Sequence, residues 1–132
     1  MGQAAENQKY YSFEEYLELE AQTNTRYQLY DGEVFAMAGT SDTHNEIVQN
    51  LSFALRESAR QGGCKVYAEN VKLEVVKNQY YTYPDVFICC DARDRQERMI
   101  KRYPVLIGEV LSASTEKADR GFKWLHYKKS LP

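Results

Sequence analysis

Two acidic residues stand at the ends of apolar runs in the second half of the chain, and they are the first candidates for chemistry. Asp85 precedes the run "VFICC" at residues 86–90, and Glu109 follows the run "PVLIG" at residues 104–108. A carboxylate is rarely buried without a partner, because removing its charge from water costs several kcal/mol. Each acid therefore needs a cation or a hydrogen-bond donor beside it.

The two runs can pair as antiparallel strands. If Cys90 lies opposite Pro104, then Asp85 lies opposite Glu109. The same register predicts two apolar pairs, Phe87 with Ile107 and Cys89 with Val105. A slip of one residue would move one acid to the other face of the sheet. Like charges that face each other on a sheet destabilise it unless a cation lies between them or one is protonated.

Two explanations of such a carboxylate pair remain open. A hard divalent cation suits it, because Mg²⁺ is commonly held by one or two carboxylates together with water and phosphate oxygens. Alternatively, each acid is satisfied separately by an arginine, a lysine or a backbone donor.

A lysine in the last helix-like segment is the third candidate. The segment "STEKADRGFKWLHYKK" carries Asp119 and Lys123 four residues apart, on one face of a helix. Such a pair can be a surface ion pair that contributes a few tenths of a kcal/mol. Alternatively, Lys123 reaches the carboxylate pair, where its ammonium group orients or activates a water molecule.

The first half of the chain predicts two helices and a hairpin. Residues 12–15 have the Ser-x-x-Glu spacing of a capping box, which starts a helix that runs to about residue 20. Asp31-Gly32 predicts a two-residue hairpin turn, because both positions need positive φ. Thr43 and Glu46 have capping-box spacing and start a second helix, which Gly62-Gly63 ends. Its predicted apolar stripe is formed by Ile47, Leu51, Ala54, Leu55 and Ala59.

The second half is rich in predicted strands. Residues 65–76 alternate as a half-buried strand, residues 77–79 form a turn, and residues 85–90 and 104–110 are apolar strands around a charged loop. The order of elements predicts an α+β or mixed α/β fold. The length of 132 residues predicts one domain, with residues 1–10 as a flexible lead.

Charge is distributed unevenly along the chain. Residues 1–91 carry 7 basic and 14 acidic side chains, whereas residues 92–132 carry 10 and 5. A local basic surface of this kind suits a nucleic-acid backbone, although uneven solvated charge is the plainer explanation. No apolar run has the length of a membrane span and no signal peptide is visible, so a cytoplasmic protein is expected. The three cysteines have no zinc-ligand spacing, and Cys89 and Cys90 are expected to be reduced and buried.

Four segments together resemble a known family. They are "RYQLYDGEVFAMAGTSDTHNEIVQNL", "YYTYPDVFIC", "PVLIGEVLSAST" and "DRGFKWLHY", and they are similar, in this order, to the bacterial putative restriction endonuclease family of the PD-(D/E)XK nuclease superfamily. The resemblance extends from about Tyr11 to the end of the chain. It implies a restriction endonuclease-like core with a central mixed sheet flanked by helices.

The resemblance also implies a type II restriction endonuclease-like hydrolase that cuts DNA. Asp85 and Glu109 would hold Mg²⁺ or Mn²⁺, and Lys123 would be the catalytic lysine, with Lys117 as the fallback. Glu33, His44 and Asp119 are supporting candidates. Of these, Glu33 is also explained as a solvent-facing strand residue and His44 as a hydrogen-bonding residue of the first helical turn.

The chain departs from the family pattern in three places. Gln28 stands where many relatives have an acid, and Leu111 stands where the superfamily acid-x-Lys unit has lysine. Relatives continue into further strands after the last helix, so the C-terminus is expected to be truncated, and a bare sheet edge could be covered in a homodimer. These departures favour the alternative function, a catalytically silent nuclease-fold module that binds nucleic acid or a protein partner.

Overall fold

The protein is an α+β structure in which two sheets carry helices. The computed structural model describes residues 9–111, and all structural statements below refer to that range. Its elements are α1 (Phe13–Thr23), β1 (Tyr27–Tyr30), β2 (Glu33–Ala36), α2 (Asp42–Gln61), β3 (Lys65–Ala68), β4 (Lys72–Val76), β5 (Tyr80–Thr82), β6 (Val86–Cys89), α3 (Ala92–Gln96), β7 (Ile100–Lys101) and β8 (Pro104–Gly108). None of the helices in this range is long and apolar enough to cross a membrane.

The local signals at the first helix and the hairpin are confirmed. Ser12 and Glu15 form both arms of the capping box, and α1 ends three residues later than predicted, where Asn24 adopts the left-handed conformation. In the hairpin turn, Asp31 and Gly32 have φ values of 49° and 88°, as a turn with two positive φ angles requires.

The predicted start of α2 was wrong. The helix is capped by Ser41, whose side chain accepts the main-chain N–H of His44 at 3.1 Å, and not by a Thr43–Glu46 box. The buried stripe is shifted accordingly, because His44, Val48 and Ala59 are buried while Ile47 is 46% exposed. This shift brings His44 to the inner face of the first turn.

The strands form one mixed and one antiparallel sheet. The five-stranded sheet has the order β2-β1-β5-β4-β7, in which only β4 and β7 are parallel. The three-stranded sheet has the order β3-β6-β8 and is antiparallel throughout. The predicted single strand over residues 65–76 is therefore two strands, β3 and β4, which belong to different sheets. The predicted charged loop also contains α3 and β7.

Two apolar clusters hold these layers together. The first lies between α1 and the five-stranded sheet and consists of Tyr16, Leu29, Val34, Tyr81 and Ile100. The second joins the two sheets and consists of Leu73, Val75, Tyr80, Phe87 and Cys89. Helix α2 packs on β3 and β6. At Gly108 a Cβ would meet Leu51 Cδ2 at 3.3 Å, so the missing side chain allows α2 to approach β8 closely.

The expectation that the adjacent cysteines are both reduced was wrong. Cys64 and Cys90 form a disulfide with a Cα–Cα distance of 4.1 Å, while Cys89 is free and buried. Lys65 lies opposite Cys89 in the β3–β6 ladder, which places Cys64 beside Cys90 just beyond it. The pairing depended on this register, which spacing along the chain did not reveal. The disulfide closes the end of the three-stranded sheet opposite to Asp85.

Candidate functional site

Three acids lie in a row across one end of the three-stranded sheet. Tyr67, Phe87 and Ile107 are partners in neighbouring strands of this sheet. Continuing these registers by two residues, beyond β3 and β8 and before β6, brings Glu69, Asp85 and Glu109 next to one another, and the Glu69 N–H donates to the Asp85 carbonyl oxygen. All three are half-buried. The register that aligns Asp85 with Glu109 is the one predicted from the sequence.

The predicted register fails only at the far end of the pair. Phe87 lies opposite Ile107, as expected, but Cys89 lies opposite Pro104 and not Val105. The ladder shifts between Ile88 and Cys89, and such an irregularity re-aims the strand locally. Since the shift lies beyond Ile88, it leaves the end that carries Asp85 and Glu109 unchanged.

Asp85 and Glu109 are connected through backbone groups. The main-chain N–H of Asp85 donates to Glu109 Oε2 at 3.4 Å, a long hydrogen bond. The N–H of Val110 donates to Asp85 Oδ2 at 2.7 Å. Each acid therefore has one main-chain donor before any ion is considered.

His44 brings the start of α2 to this row. Its Nε2 lies 3.3 Å from Asp85 Oδ2 and 3.1 Å from the carbonyl oxygen of Val110. The residue is 8% exposed, and its Nδ1 is buried without a hydrogen-bond partner among the described residues. As an N–H donor, Nε2 fixes the imidazole between the head of β6 and the end of β8.

Glu69 is the site residue that the sequence analysis missed. Its N–H donates to the carbonyl oxygens of Pro84 and Asp85, at 3.2 and 3.1 Å. Its own carbonyl accepts a short hydrogen bond from Arg26 Nη1. Its φ is 57°, the left-handed conformation that ends β3. The prediction of one strand over residues 65–76 missed this turn. A strand that ended at Ala68, paired with β6 in the observed register, would have placed Glu69 beside Asp85.

The donor set fits a hard divalent cation. One ligand atom each from His44, Glu69 and Asp85 all lie within 4.8 Å of one another. Carboxylate oxygens are the ligands that Mg²⁺ and Mn²⁺ prefer, and His44 can hold one of them in place through its Nε2 N–H. Within residues 9–111, no lysine or arginine forms an ion pair with the carboxylate of Glu69 or Asp85. The chemistry of the residues present is thus suited to such an ion.

A buried charge network fixes the segment that leads into Asp85. Tyr83 donates its hydroxyl to Glu20 Oε2 at 2.8 Å, and Lys72 forms a short ion pair with the other oxygen of Glu20. Burial raises the pKa of Tyr83 and lowers the pKa of Lys72, the latter against the opposing effect of Glu20. Pro84 is fully buried. Asp85 is therefore held by anchored residues on its N-terminal side.

The other sequence candidates lie elsewhere. Glu33 begins β2 at the edge of the five-stranded sheet, outside the row of acids. Gln28 is 2% exposed, and its Oε1 accepts a hydrogen bond from the Thr82 hydroxyl at 3.0 Å. Leu111 is 37% exposed and is the last residue described. Lys117, Asp119 and Lys123 lie outside the described residues.

Most basic residues between positions 92 and 111 contact their own chain. Lys101 is 4% exposed and donates to the carbonyl oxygens of Asp94 and Glu97, Arg102 pairs with Glu74, and Arg93 pairs with Asp91. Much of the positive charge assigned to a nucleic-acid surface in this range therefore stabilises the fold.

Comparison with known proteins places these residues in a family context. Residues 13–131 match the family described as "Uma2: Putative restriction endonuclease". An uncharacterized protein of Synechocystis sp., slr1290, is 40% identical over 114 residues, which are 86% of this chain and 60% of the relative. A second, sll1609, is 29% identical over 116 residues, which are 86% of this chain and 66% of the relative. The chain spans less than two thirds of the length of each relative.

Proposed function

The chain belongs to the Uma2 family of putative restriction endonucleases, and on that premise we propose that it is a metal-dependent endonuclease that hydrolyses DNA phosphodiester bonds. The observation that carries this proposal is the neighbouring placement of Asp85 and Glu109, with His44 against Asp85 Oδ2 at 3.3 Å. Mg²⁺ or Mn²⁺ is the proposed cofactor, and the two carboxylates are its proposed ligands.

Each side chain has a separate task in this mechanism. Asp85 and Glu109 would hold the ion, which would supply Lewis-acid polarisation of the scissile phosphate and a more acidic water. The Val110 N–H keeps Asp85 Oδ2 oriented. His44, in the first turn of α2, contacts the same oxygen through its Nε2. Lys123 is the proposed group that orients the attacking water or stabilises the charge that develops on phosphorus.

The alternative proposal is a catalytically silent module that binds nucleic acid. Two departures from the family pattern favour it: Leu111 stands where the superfamily acid-x-Lys unit has lysine, and the buried Gln28 stands where many relatives have an acid. For cleavage, the catalytic lysine would have to be Lys123, which lies outside the described residues. Binding without cleavage is the outcome that separates this alternative from the nuclease.

Plasmid nicking tests the proposed activity. Supercoiled DNA is incubated with wild-type protein and Mg²⁺ or Mn²⁺, beside Asp85→Ala, Glu109→Ala and the control Glu57→Gln, whose carboxylate is exposed and pairs with Arg60. We expect nicking by wild type and Glu57→Gln only. No nicking by wild type, or equal nicking by both alanine variants, would refute the nuclease. Salt-sensitive DNA binding without nicking would instead support the silent module.

A further inference from the structure

We propose that Glu69 is a third carboxylate ligand of the divalent ion, beside Asp85 and Glu109. This inference rests on the proposed metal dependence and adds a residue that the family motif Pro-Asp…Glu…Lys does not contain. Glu69 follows β3, whereas Asp85 precedes β6 and Glu109 follows β8. The Glu69 N–H donates to the Asp85 carbonyl oxygen at 3.1 Å, which places the two residues side by side.

Distance supports a shared ion. A hard divalent ion binds oxygen at about 2.0–2.6 Å, so two ligand atoms of one ion lie no more than about 4–5 Å apart. One carboxylate oxygen of Glu69 and one of Asp85 satisfy this limit, since they lie, together with a ring nitrogen of His44, within 4.8 Å of one another. Glu69 and Asp85 therefore need little rearrangement to bind one ion, and Glu109 reaches it from the other side of Asp85 in the proposal.

The backbone of Glu69 is unusually fixed for a turn residue. A left-handed conformation costs a residue with a Cβ roughly 1–2 kcal/mol, and it persists where the surroundings determine it. Here the N–H donates to Asp85 itself and the carbonyl accepts from Arg26. A turn alone would be served better by glycine or asparagine. The glutamate adds a carboxylate that makes no hydrogen bond or ion pair within residues 9–111.

His44 provides an independent indication that the cluster takes a ligand. The imidazole is more than nine-tenths buried, yet its Nδ1 has no hydrogen-bond partner among the residues described. A buried polar atom left unsatisfied costs about 1–3 kcal/mol. Native structures retain such atoms where a water or an ion completes the site. His44 thus lies against Asp85 through Nε2 and keeps its second ring nitrogen, Nδ1, open for a further partner.

Titration calorimetry with MnCl₂, repeated with MgCl₂, tests the proposal on the full chain. Glu69→Gln and Glu69→Asn are compared with wild type, because glutamine replaces the carboxylate with an amide of the same length and asparagine tolerates φ > 0. Glu69→Asp retains a carboxylate, and Glu57→Gln is the surface control. We expect the first two to lower Mn²⁺ affinity by at least about tenfold, the smallest effect seen when even an outer partner of a metal ligand is lost. Glu69→Asp should retain more affinity than Glu69→Asn.

Thermal melting without metal shows whether each variant is folded. Wild-type affinity in a folded Glu69→Asn variant would overturn the role of Glu69, while DNA nicking and its dependence on Asp85 would still stand. Absence of Mn²⁺ or Mg²⁺ binding by wild type would overturn this inference together with the metal dependence. Loss of affinity in Glu69→Gln and Glu69→Asn, but not in Glu57→Gln, would establish the third ligand.

Discussion

The carboxylates of Asp85 and Glu109 each accept a main-chain N–H group from the end of the other strand. The Asp85 N–H donates to Glu109 Oε2, and the Asp85 carboxylate accepts the N–H of the residue that follows Glu109. The two explanations of the acid pair, a cation or separate backbone donors, are thus compatible. The donors orient the oxygens, and an ion can still bind them. This arrangement gives Asp85 a structural and a proposed chemical role that different substitutions can separate.

Asp85→Ala is expected to lower the free energy of unfolding by about 1–3 kcal/mol, because it leaves the half-buried Val110 N–H without an acceptor. Asp85→Asn retains an oxygen at this position and should cost less. Both variants should lose the rise in melting temperature that millimolar Mg²⁺ or Mn²⁺ is expected to give wild type. Urea unfolding measures the first effect and thermal melting the second. Equal stability of the two variants would contradict the role assigned to the Val110 bond.

His44→Ala is expected to weaken Mn²⁺ binding by about 10–100-fold, as the loss of an outer partner of a ligand does. It also removes the donor to the carbonyl of the half-buried Val110, so the free energy of unfolding should fall by about 1–3 kcal/mol. Glu46→Gln, on the exposed side of the same helical turn, is the matched control. Calorimetry and urea unfolding give the two values. Unchanged Mn²⁺ affinity in a folded His44→Ala protein would show that this histidine does not support the site.

Local signals explain which parts of the fold were predictable. The capping box at Ser12 and the Asp31-Gly32 turn depend only on residues a few positions away, so the local sequence was enough to predict them. The Asp85–Glu109 alignment was also accessible, because few registers pair the apolar residues of both strands on one face. Its far end was not, since the irregularity at Cys89 depends on packing around it.

Glu69 shows why the remainder of the site was hidden. Its left-handed turn is held by hydrogen bonds to Asp85 and Arg26, residues that are distant in sequence. The segment "YAENVK" does not predict a left-handed conformation at Glu69, because glutamate rarely adopts positive φ. His44 was predicted as a supporting residue, but its inward orientation was not. That orientation follows from the N-cap at Ser41, whereas the sequence analysis predicted a capping box at Thr43 and Glu46.

Reduction of the Cys64–Cys90 disulfide is expected to destabilise the protein. The bridge spans 26 residues, and the chain-entropy estimate for a loop of that size is about 3.5 kcal/mol, within a usual range of about 2–4. Cys64→Ser should reproduce the loss, and a reducing agent should then have no further effect. Urea unfolding with and without reductant measures both. Equal stability of reduced and oxidised wild type would show that this bridge does not constrain the chain.

Alkaline pH is expected to unfold the protein partly through Tyr81. Burial raises the pKa of Tyr81 to about 12, while a tyrosine in the unfolded chain titrates near 10. A raised pKa means that the neutral phenol is favoured in the folded state, so its stabilisation is complete below pH 10 and is lost as the pH rises towards 12. Lys72 has a lowered pKa in the folded state, so below pH 10.5 its deprotonation makes the free energy of unfolding rise with pH. This contribution is the same in wild type and in the variants.

The measurement compares Tyr81→Phe with wild type between pH 9 and 12. At neutral pH the variant should be less stable by about 1–3 kcal/mol, because the Asn78 N–H loses its acceptor and Glu74 its donor. Its free energy of unfolding should then fall less steeply than that of wild type above pH 10. Tyr10→Phe, at a position 66% exposed, should follow the wild-type slope. Parallel slopes for Tyr81→Phe and wild type would mean that the Tyr81 hydroxyl ionises as readily in the folded chain as in the unfolded one.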